Sequence, residues 1–305
     1  MDFRNKYNGV IVPMVTPVLS SGEIDEIAVK TIIDSFIQAG VVPFILGSTG
    51  EASSLSSQQK KKMVAVSVKF LRGRSLLYVG ISGNCLSETI EEGNVYADMG
   101  ADVLVSTPPS YYPMTGYQMI NYFNVLADAL LKPLIIYNMP SMTKHNIPIS
   151  VVEELSQHKN IVGLKDSERD EDRLMLLVEK LKERTDFVYL LGWAALSVKA
   201  LTHGASGIVP STANLTPELY RELFDFTKSN NLRNAERLQH TTNYISGLYQ
   251  NGRVLSESIP ALKALMSLKG LCGLDVIPPM YRMKPKEEDE YLKQMRVKLK
   301  QTNVL

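Results

Sequence analysis

The chain has 305 residues but only two cysteines, Cys85 and Cys272, and neither has a CxxC partner. This excludes a disulfide framework and the paired-thiolate spacing of a zinc site, and it fits a reducing, cytoplasmic setting. Charge of one sign is also lacking: 33 basic side chains against 32 acidic ones leave a formal net charge of +1. A nucleic-acid partner calls for a basic excess, so none is expected. Long apolar runs are missing as well. The stretch Val10 to Val15 is broken by Pro13 and too short for a membrane span or a signal-peptide core, and Met1 to Asn8 before it is polar. His145, His158, His203 and His240 are the only histidines, lie in separate segments without ligand spacing, and give no reason to expect a metal. No GxGxxG follows a strand-like run and no GK[ST] ends a glycine loop, which disfavours dinucleotide and P-loop sites.

What is present is 45% hydrophobic content, enough for a large core, distributed as alternating elements. Eight short apolar runs recur: Val10 to Val15, Val41 to Leu46, Leu76 to Ile81, Val103 to Ser106, Leu134 to Tyr137, Ile161 to Lys165, Phe187 to Leu191 and Gly207 to Pro210. Several are apolar on both faces, as strands buried on both sides must be. Segments with helical periodicity follow them: Glu26 to Ala39, Ser57 to Leu71, Leu86 to Met99, Tyr117 to Leu131, Val151 to Gln157, Glu171 to Arg184, Ala194 to Thr202 and Pro217 to Thr227. Thr216-Pro217 reads as an N-cap with proline at the first helical position. Eight βα units in about 225 residues predict a (β/α)8 TIM barrel, with a doubly wound open sheet as the alternative. From Ala235 the strand signal stops, and Leu238 to Leu248, Ile259 to Leu268 and Glu287 to Leu299 read as helices, broken by Pro278-Pro279 and Pro285. The expected organisation is a barrel over 1–230 and a C-terminal helical extension over 231–305, packed as one compact unit.

In such a barrel the residues just after the strands converge on one pocket. Lys165 closes the apolar run Ile161-Val162-Gly163-Leu164. A lysine held there either snorkels its ammonium to solvent or loses water, and in the second case its pKa falls and a nucleophilic amine results. Gly47-Ser48-Thr49-Gly50-Glu51 follows the second run, where glycines expose backbone N–H groups and two hydroxyls add donors that suit a carboxylate. Thr107-Pro108-Pro109-Ser110-Tyr111-Tyr112-Pro113 follows the fourth, and Tyr137-Asn138-Met139-Pro140 ends the fifth. A retro-aldol reaction needs an amine as electron sink and a hydroxyl proton relay, and this set contains both. Packing roles for the paired tyrosines and a plain turn role for the glycines are the alternatives.

Together these motifs resemble the dihydrodipicolinate synthase and N-acetylneuraminate lyase family, in the family's order from Gly9 to about Met283. The resemblance implies a (β/α)8 barrel, no cofactor, and a Schiff base between Lys165 and a 2-oxo acid, usually pyruvate. It implies that Tyr137 is the general acid/base, and that Ser48 and Thr49, with Gly47, serve the substrate carboxylate and the relay. Gly192 and Val209 match positions that shape the pyruvate end. A tyrosine from a neighbouring subunit completes the relay in many members; Tyr111 is the match, with Tyr112 the alternative because of one extra residue in Pro108-Pro109-Ser110. The implied assembly is a homotetramer, a dimer of dimers.

The second substrate is where the chain departs from its better-known relatives. Met142 stands where dihydrodipicolinate synthases resemble one another in an arginine, and a thioether cannot replace a bidentate guanidinium. Lys144, His145 and Arg169 are the candidate substitutes. Gly192-Trp193-Ala194-Ala195 replaces the Gly-Tyr-Asp-Glu of N-acetylneuraminate lyases, removing the carboxylates that hold sugar hydroxyls. The sequence thus predicts intact pyruvate machinery and a more apolar far side formed by Met142, Trp193 and Tyr112, with Ser167 and Ser211 as hydroxyl contacts. The expected activity is cleavage or condensation of a small 2-oxo-3-deoxy or 4-hydroxy-2-oxo acid. Dihydrodipicolinate synthase, N-acetylneuraminate lyase, a dehydratase or deaminase using the same iminium, and a non-catalytic 2-oxo-acid binding protein are the alternatives. Glu168-Arg169-Asp170-Glu171-Asp172-Arg173 is expected to be the solvated first turn of a helix, unless Arg169 reaches the pocket mouth.

Overall fold

The computed structural model describes residues 3–302 and 304–305, so Met1, Asp2 and Asn303 of the expected N-terminal and C-terminal segments lie outside the described residues. The strands are β1 (Gly9–Pro13), β2 (Val42–Ile45), β3 (Tyr78–Gly80), β4 (Val103–Ser106), β5 (Leu134–Asn138), β6 (Ile161–Asp166), β7 (Val188–Leu191) and β8 (Gly207–Ile208). Each pairs in parallel with the next and β8 pairs with β1, closing a barrel. The open-sheet alternative is therefore excluded. The expected runs overreach the ladders by a residue or two at several ends because apolar residues continue past the last paired position.

Two layers of apolar side chains hold the barrel. Ile11, Phe44, Tyr78, Val103, Val105, Ile135, Val162, Val188, Leu190 and Val209 fill the lumen with Tyr137. The alternate residues, among them Val12, Ile45, Val79, Leu104, Ile136 and Leu164, pack outward under the helices. This is the period-two division that a strand imposes, with both faces buried.

One strand breaks that period, with a direct effect on the site. Leu134 pairs with Ile161 but Ile135 pairs with Gly163, so β6 carries an extra residue against β5. Ile161 faces out and Val162 faces in, yet Leu164 faces out again. Strict alternation would have turned Leu164 inward and Lys165 into the helix layer; the bulge reverses the parity and delivers Lys165 to the lumen. Glycine is required at the bulge: a Cβ on Gly163 would meet Val188 Cγ2 at 2.4 Å and the Val188 carbonyl at 2.8 Å.

The helical elements follow the expected order. The segment Ala194 to Thr202 is divided into a short 3₁₀ turn, Ala194–Leu196, and a helix, Ser197–His203. Thr216 precedes Pro217 at the helix start as expected but does not cap with its side chain; its hydroxyl donates instead to the Thr212 carbonyl. Beyond the helix Pro217–Lys228 come Leu232–Gln250, Leu255–Leu268 and Pro285–Gln301. All three are longer than expected. Pro285, expected as a break ahead of the last helix, is that helix's first residue, and Pro260, expected near a helix start, lies within Leu255–Leu268. The expected division at 230/231 falls in the turn before Leu232.

Candidate active site

A cavity of about 1160 Å³ opens at the C-terminal ends of the strands. Register places Tyr137 of β5 beside Lys165 of β6, and both side chains enter it from the lumen. Lys165 is 5% exposed, and its Nζ lies 3.8 Å from the Tyr137 ring centroid and 4.7 Å from that of Phe44. Burial pushes the amine below the ordinary lysine pKa, while the Tyr137 phenol pulls weakly the other way. The solvated strand-end alternative is thereby removed.

The Tyr137 hydroxyl donates to Met139 Sδ at 2.9 Å and accepts from Ser167 Oγ at 3.4 Å. Ser167 is crowded against Gly192, where a Cβ would lie 2.0 Å from its Oγ, so glycine is needed for β6 and β7 to end this close together. Ser48, Thr49, Val209, Ser211, Met142 and Trp193 also line the cavity. Gly47 lies behind the lining, above the Phe44 ring, whose carbons a Cβ there would meet at 3.0 Å. Trp193 is half-buried and packs against the outer core as well as facing the cavity.

Tyr111 and Tyr112 are not brought to this cavity within the chain. They are 76% and 75% exposed and meet edge to face at 4.9 Å. Asn84 pins their turn by accepting from the backbone N–H groups of Ser110 and Tyr111 at 2.9 and 3.2 Å.

Three sequence expectations are corrected. Glu168 and Arg173 do not belong to a solvated turn: Arg173 Nε lies 2.8 Å from Asp166 and 3.1 Å from Glu168, both pairs largely buried. Asn138 ties the two carboxylates by donating to each at 2.9 Å. Arg169 is exposed and lines the cavity mouth. Of the other proposed substitutes for the missing guanidinium, Lys144 lines the cavity and His145 does not. Finally, the far side is not built from the barrel alone, and beside apolar Val254, Leu255, Ile259 and Leu262 it carries polar groups. The helices after β8 contribute Asn243, Ser246, Tyr249, Gln250 and Ser258 to the lining, and the turn between two of them contributes Arg253. The Tyr249 hydroxyl bridges Ser211 and Thr212 at 2.8 and 2.9 Å and accepts from the Gln250 amide at 2.8 Å. Nothing in the tail's periodicity marks these residues, because a helical period shows which face is buried but not what it faces.

Among the described residues no group of three or more His, Cys, Asp or Glu is placed to hold a metal ion, and no helix is long and apolar enough to cross a membrane. A closed (β/α)8 barrel with a desolvated lysine beside a phenol at its C-terminal face has the architecture of a barrel enzyme with an amine nucleophile.

Comparison with known proteins gives the family. The sequence profile of the Dihydrodipicolinate synthetase family matches residues 6–301. The chain is 28% identical over 290 residues to a 4-hydroxy-tetrahydrodipicolinate synthase of Psychrobacter sp. (strain PRwf-1), covering 95% of this chain and 94% of the relative. It is 30% identical over 269 residues to the enzyme of that name from Ligilactobacillus salivarius (strain UCC118), covering 88% and 86%. Among solved structures, YagE, a prophage protein of the dihydrodipicolinic acid synthase family from E. coli K12 in complex with pyruvate, superposes with a TM-score of 0.90 at 25% identity, covering 98% of this chain and 99% of that one. The chain belongs to the dihydrodipicolinate synthetase family, whose members are pyruvate-dependent carbon–carbon lyases.

Proposed function

We propose that the chain is a Schiff-base aldolase that forms an iminium between Lys165 and a 2-oxo acid, with pyruvate as one reaction partner. The observation that carries this reading is the buried Lys165 amine, held 3.8 Å from the Tyr137 ring with its pKa lowered by desolvation. The Nζ lone pair adds to the C2 carbonyl, and loss of water gives the iminium. In the cleavage direction the C3–C4 bond breaks, its electrons enter the iminium to form an enamine, and the C4 hydroxyl proton passes to the relay as the aldehyde forms. Protonation at C3 and hydrolysis release pyruvate and free Lys165. Tyr137 is the acid/base, with Ser167 hydrogen-bonded to its hydroxyl; Ser48 and Thr49 hold the carboxylate, and Gly192 and Val209 bound the pyruvate end.

The preferred second partner is the aldehyde of a small 2-oxo-3-deoxy or 4-hydroxy-2-oxo acid. The polar wall from Ser211, Tyr249 and Gln250 suits its hydroxyls. Synthesis of 4-hydroxy-tetrahydrodipicolinate is the second reading. It is favoured by the names of the relatives and by Arg169 at the cavity mouth, and weakened by Met142. A homotetramer in which Tyr111 of a neighbouring copy reaches the relay completes the proposal; the exposure of Tyr111 and Tyr112 supports it.

Borohydride reduction with pyruvate, followed by peptide mass analysis, is expected to add the reduced pyruvyl group at Lys165 alone. An unmodified Lys165 would refute the Schiff base. Product analysis across a panel of 2-oxo acids then separates retro-aldol cleavage, which gives pyruvate and an aldehyde, from dehydration or deamination.

A further inference from the structure

A second lysine is more deeply buried than Lys165 and lies outside the cavity lining. Lys263, in the helix Leu255–Leu268, is fully buried, and its Nζ is 2.5 Å from Glu51 Oε1. The same ammonium donates to the Thr16 carbonyl at 2.8 Å and the Asp275 carbonyl at 2.7 Å, while Glu51 Oε1 meets it as an ion-pair partner without a hydrogen bond of its own. Glu51 Oε2 accepts from the Ile277 N–H at 2.8 Å. A buried charge left with fewer partners would be strongly destabilising, and here all the partners on one side come from the helical extension.

Glu51 closes the loop Gly47-Ser48-Thr49-Gly50. That loop lies between two non-glycine residues in left-handed backbone, Leu46 with φ 56° and Glu51 with φ 58°. Such conformations cost free energy and persist only where the surroundings impose them. Here the imposing contacts are identifiable. Lys263 and the Ile277 N–H hold the Glu51 carboxylate, and Thr16, whose carbonyl Lys263 engages, donates its own hydroxyl to the Gly50 carbonyl at 2.6 Å. The loop's other backbone hydrogen bonds are local turns: Gly50 N–H and Ala52 N–H to the Gly47 carbonyl, Glu51 N–H to the Ser48 carbonyl, and Ser54 N–H to the Glu51 carbonyl.

We infer that Glu51, Lys263 and Thr16 are positioning residues for the carboxylate cradle: through them the helical extension holds Ser48 and Thr49 in the orientation that binds the 2-oxo acid. The inference rests on the reading of Ser48 and Thr49 as the carboxylate site. A loosened cradle weakens ground-state and transition-state binding alike, so the concentration dependence changes while turnover at saturation does not.

Two variants of the full-length chain test this. Thr16→Val removes the hydroxyl donor to Gly50 at nearly constant volume and leaves the ion pair intact. Glu51→Gln combined with Lys263→Met removes both charges together, so neither is stranded. Each is measured by thermal unfolding, by the pyruvate concentration that half-saturates borohydride trapping at Lys165, and by kcat and KM. The expected result is a folded protein whose half-saturating pyruvate and KM rise about tenfold, with kcat changed by no more than about threefold. The inference is overturned if Thr16→Val folds and binds pyruvate as the wild type does, or if kcat falls while KM is unchanged. Should the double variant fail to fold, Thr16→Val alone decides the matter, since it buries no unpaired charge. A wild-type chain that pyruvate and borohydride leave unmodified overturns the Schiff-base reading and, with it, the inference; normal trapping in the wild type with unaltered variants overturns the inference alone.

Discussion

Gly163→Ala is the most informative single substitution for the link between register and chemistry. The new methyl would lie 2.4 Å from Val188 Cγ2 and 2.8 Å from the Val188 carbonyl, and the carbonyl cannot swing away because it belongs to the β7 ladder. Overpacking of this kind costs about 1–3 kcal/mol. In a chain of this size each kcal/mol lowers Tm by about 2–4 °C, so a fall of about 2–12 °C is expected. Relief by movement of β6 carries Lys165 with it, and a shift near 1 Å in a reacting group lowers turnover by about 100-fold. Val188→Ala removes one clash and leaves the other, at its own cost of about 2 kcal/mol for two buried methyl groups. The double variant should therefore be more stable than the sum of the single effects, with a coupling of about 0.5–3 kcal/mol, and recover part of the trapping at Lys165. Differential scanning fluorimetry and the borohydride assay read both effects. A Gly163→Ala protein with wild-type Tm and turnover would refute the claim that the bulge needs glycine and aims the amine.

Other outcomes are expected from the same geometry. Tyr137→Phe removes only a 2.9 Å contact to a thioether and a 3.4 Å one to Ser167, so Tm should move little while kcat falls by about 10²–10⁴ with pyruvate still trapped at Lys165; unchanged turnover would remove Tyr137 from the chemistry. Lys165→Met should raise Tm at pH 7. The folded chain holds this amine below the 10.5 of a solvated lysine, so between the two values the unfolded chain binds more protons and wild-type stability rises with pH. The advantage of the methionine variant should shrink as pH approaches 10.5, and a constant difference across pH would contradict the desolvation account. Tyr111→Ala, at a 76% exposed site, should leave monomer stability within about 0.5 kcal/mol but lower turnover and shift sedimentation toward smaller species, as the proposed shared relay requires.

The barrel was legible because buried parallel strands are apolar on both faces, a signal that survives without knowing which residue faces which way. That same feature hid the bulge. Ile161-Val162-Gly163-Leu164 fits either parity, so the sequence placed Lys165 at the right end of the right strand without showing that it entered the lumen. Ser48, Thr49, Tyr137, Ser167 and Trp193 could be gathered because strand ends in a barrel share one rim. The wall made by Tyr249, Gln250 and Arg253 could not be found, and neither could the Glu51–Lys263 pair, since both depend on how the last helices dock and no local pattern records that. The far side predicted from Met142 and Trp193 was incomplete for this reason: it counted only residues supplied by the barrel.

The extra residue in β6 has one more consequence. Whether the amine meets substrate or the surrounding helices is decided by counting, odd or even, along a strand whose other members are interchangeable aliphatics. Inserting one aliphatic residue between Leu164 and Lys165 would leave every reactive group in place, yet address the nucleophile to the wrong compartment. Selection at this strand therefore acts on length as much as on residue identity, and a comparison scored by substitutions alone would miss it.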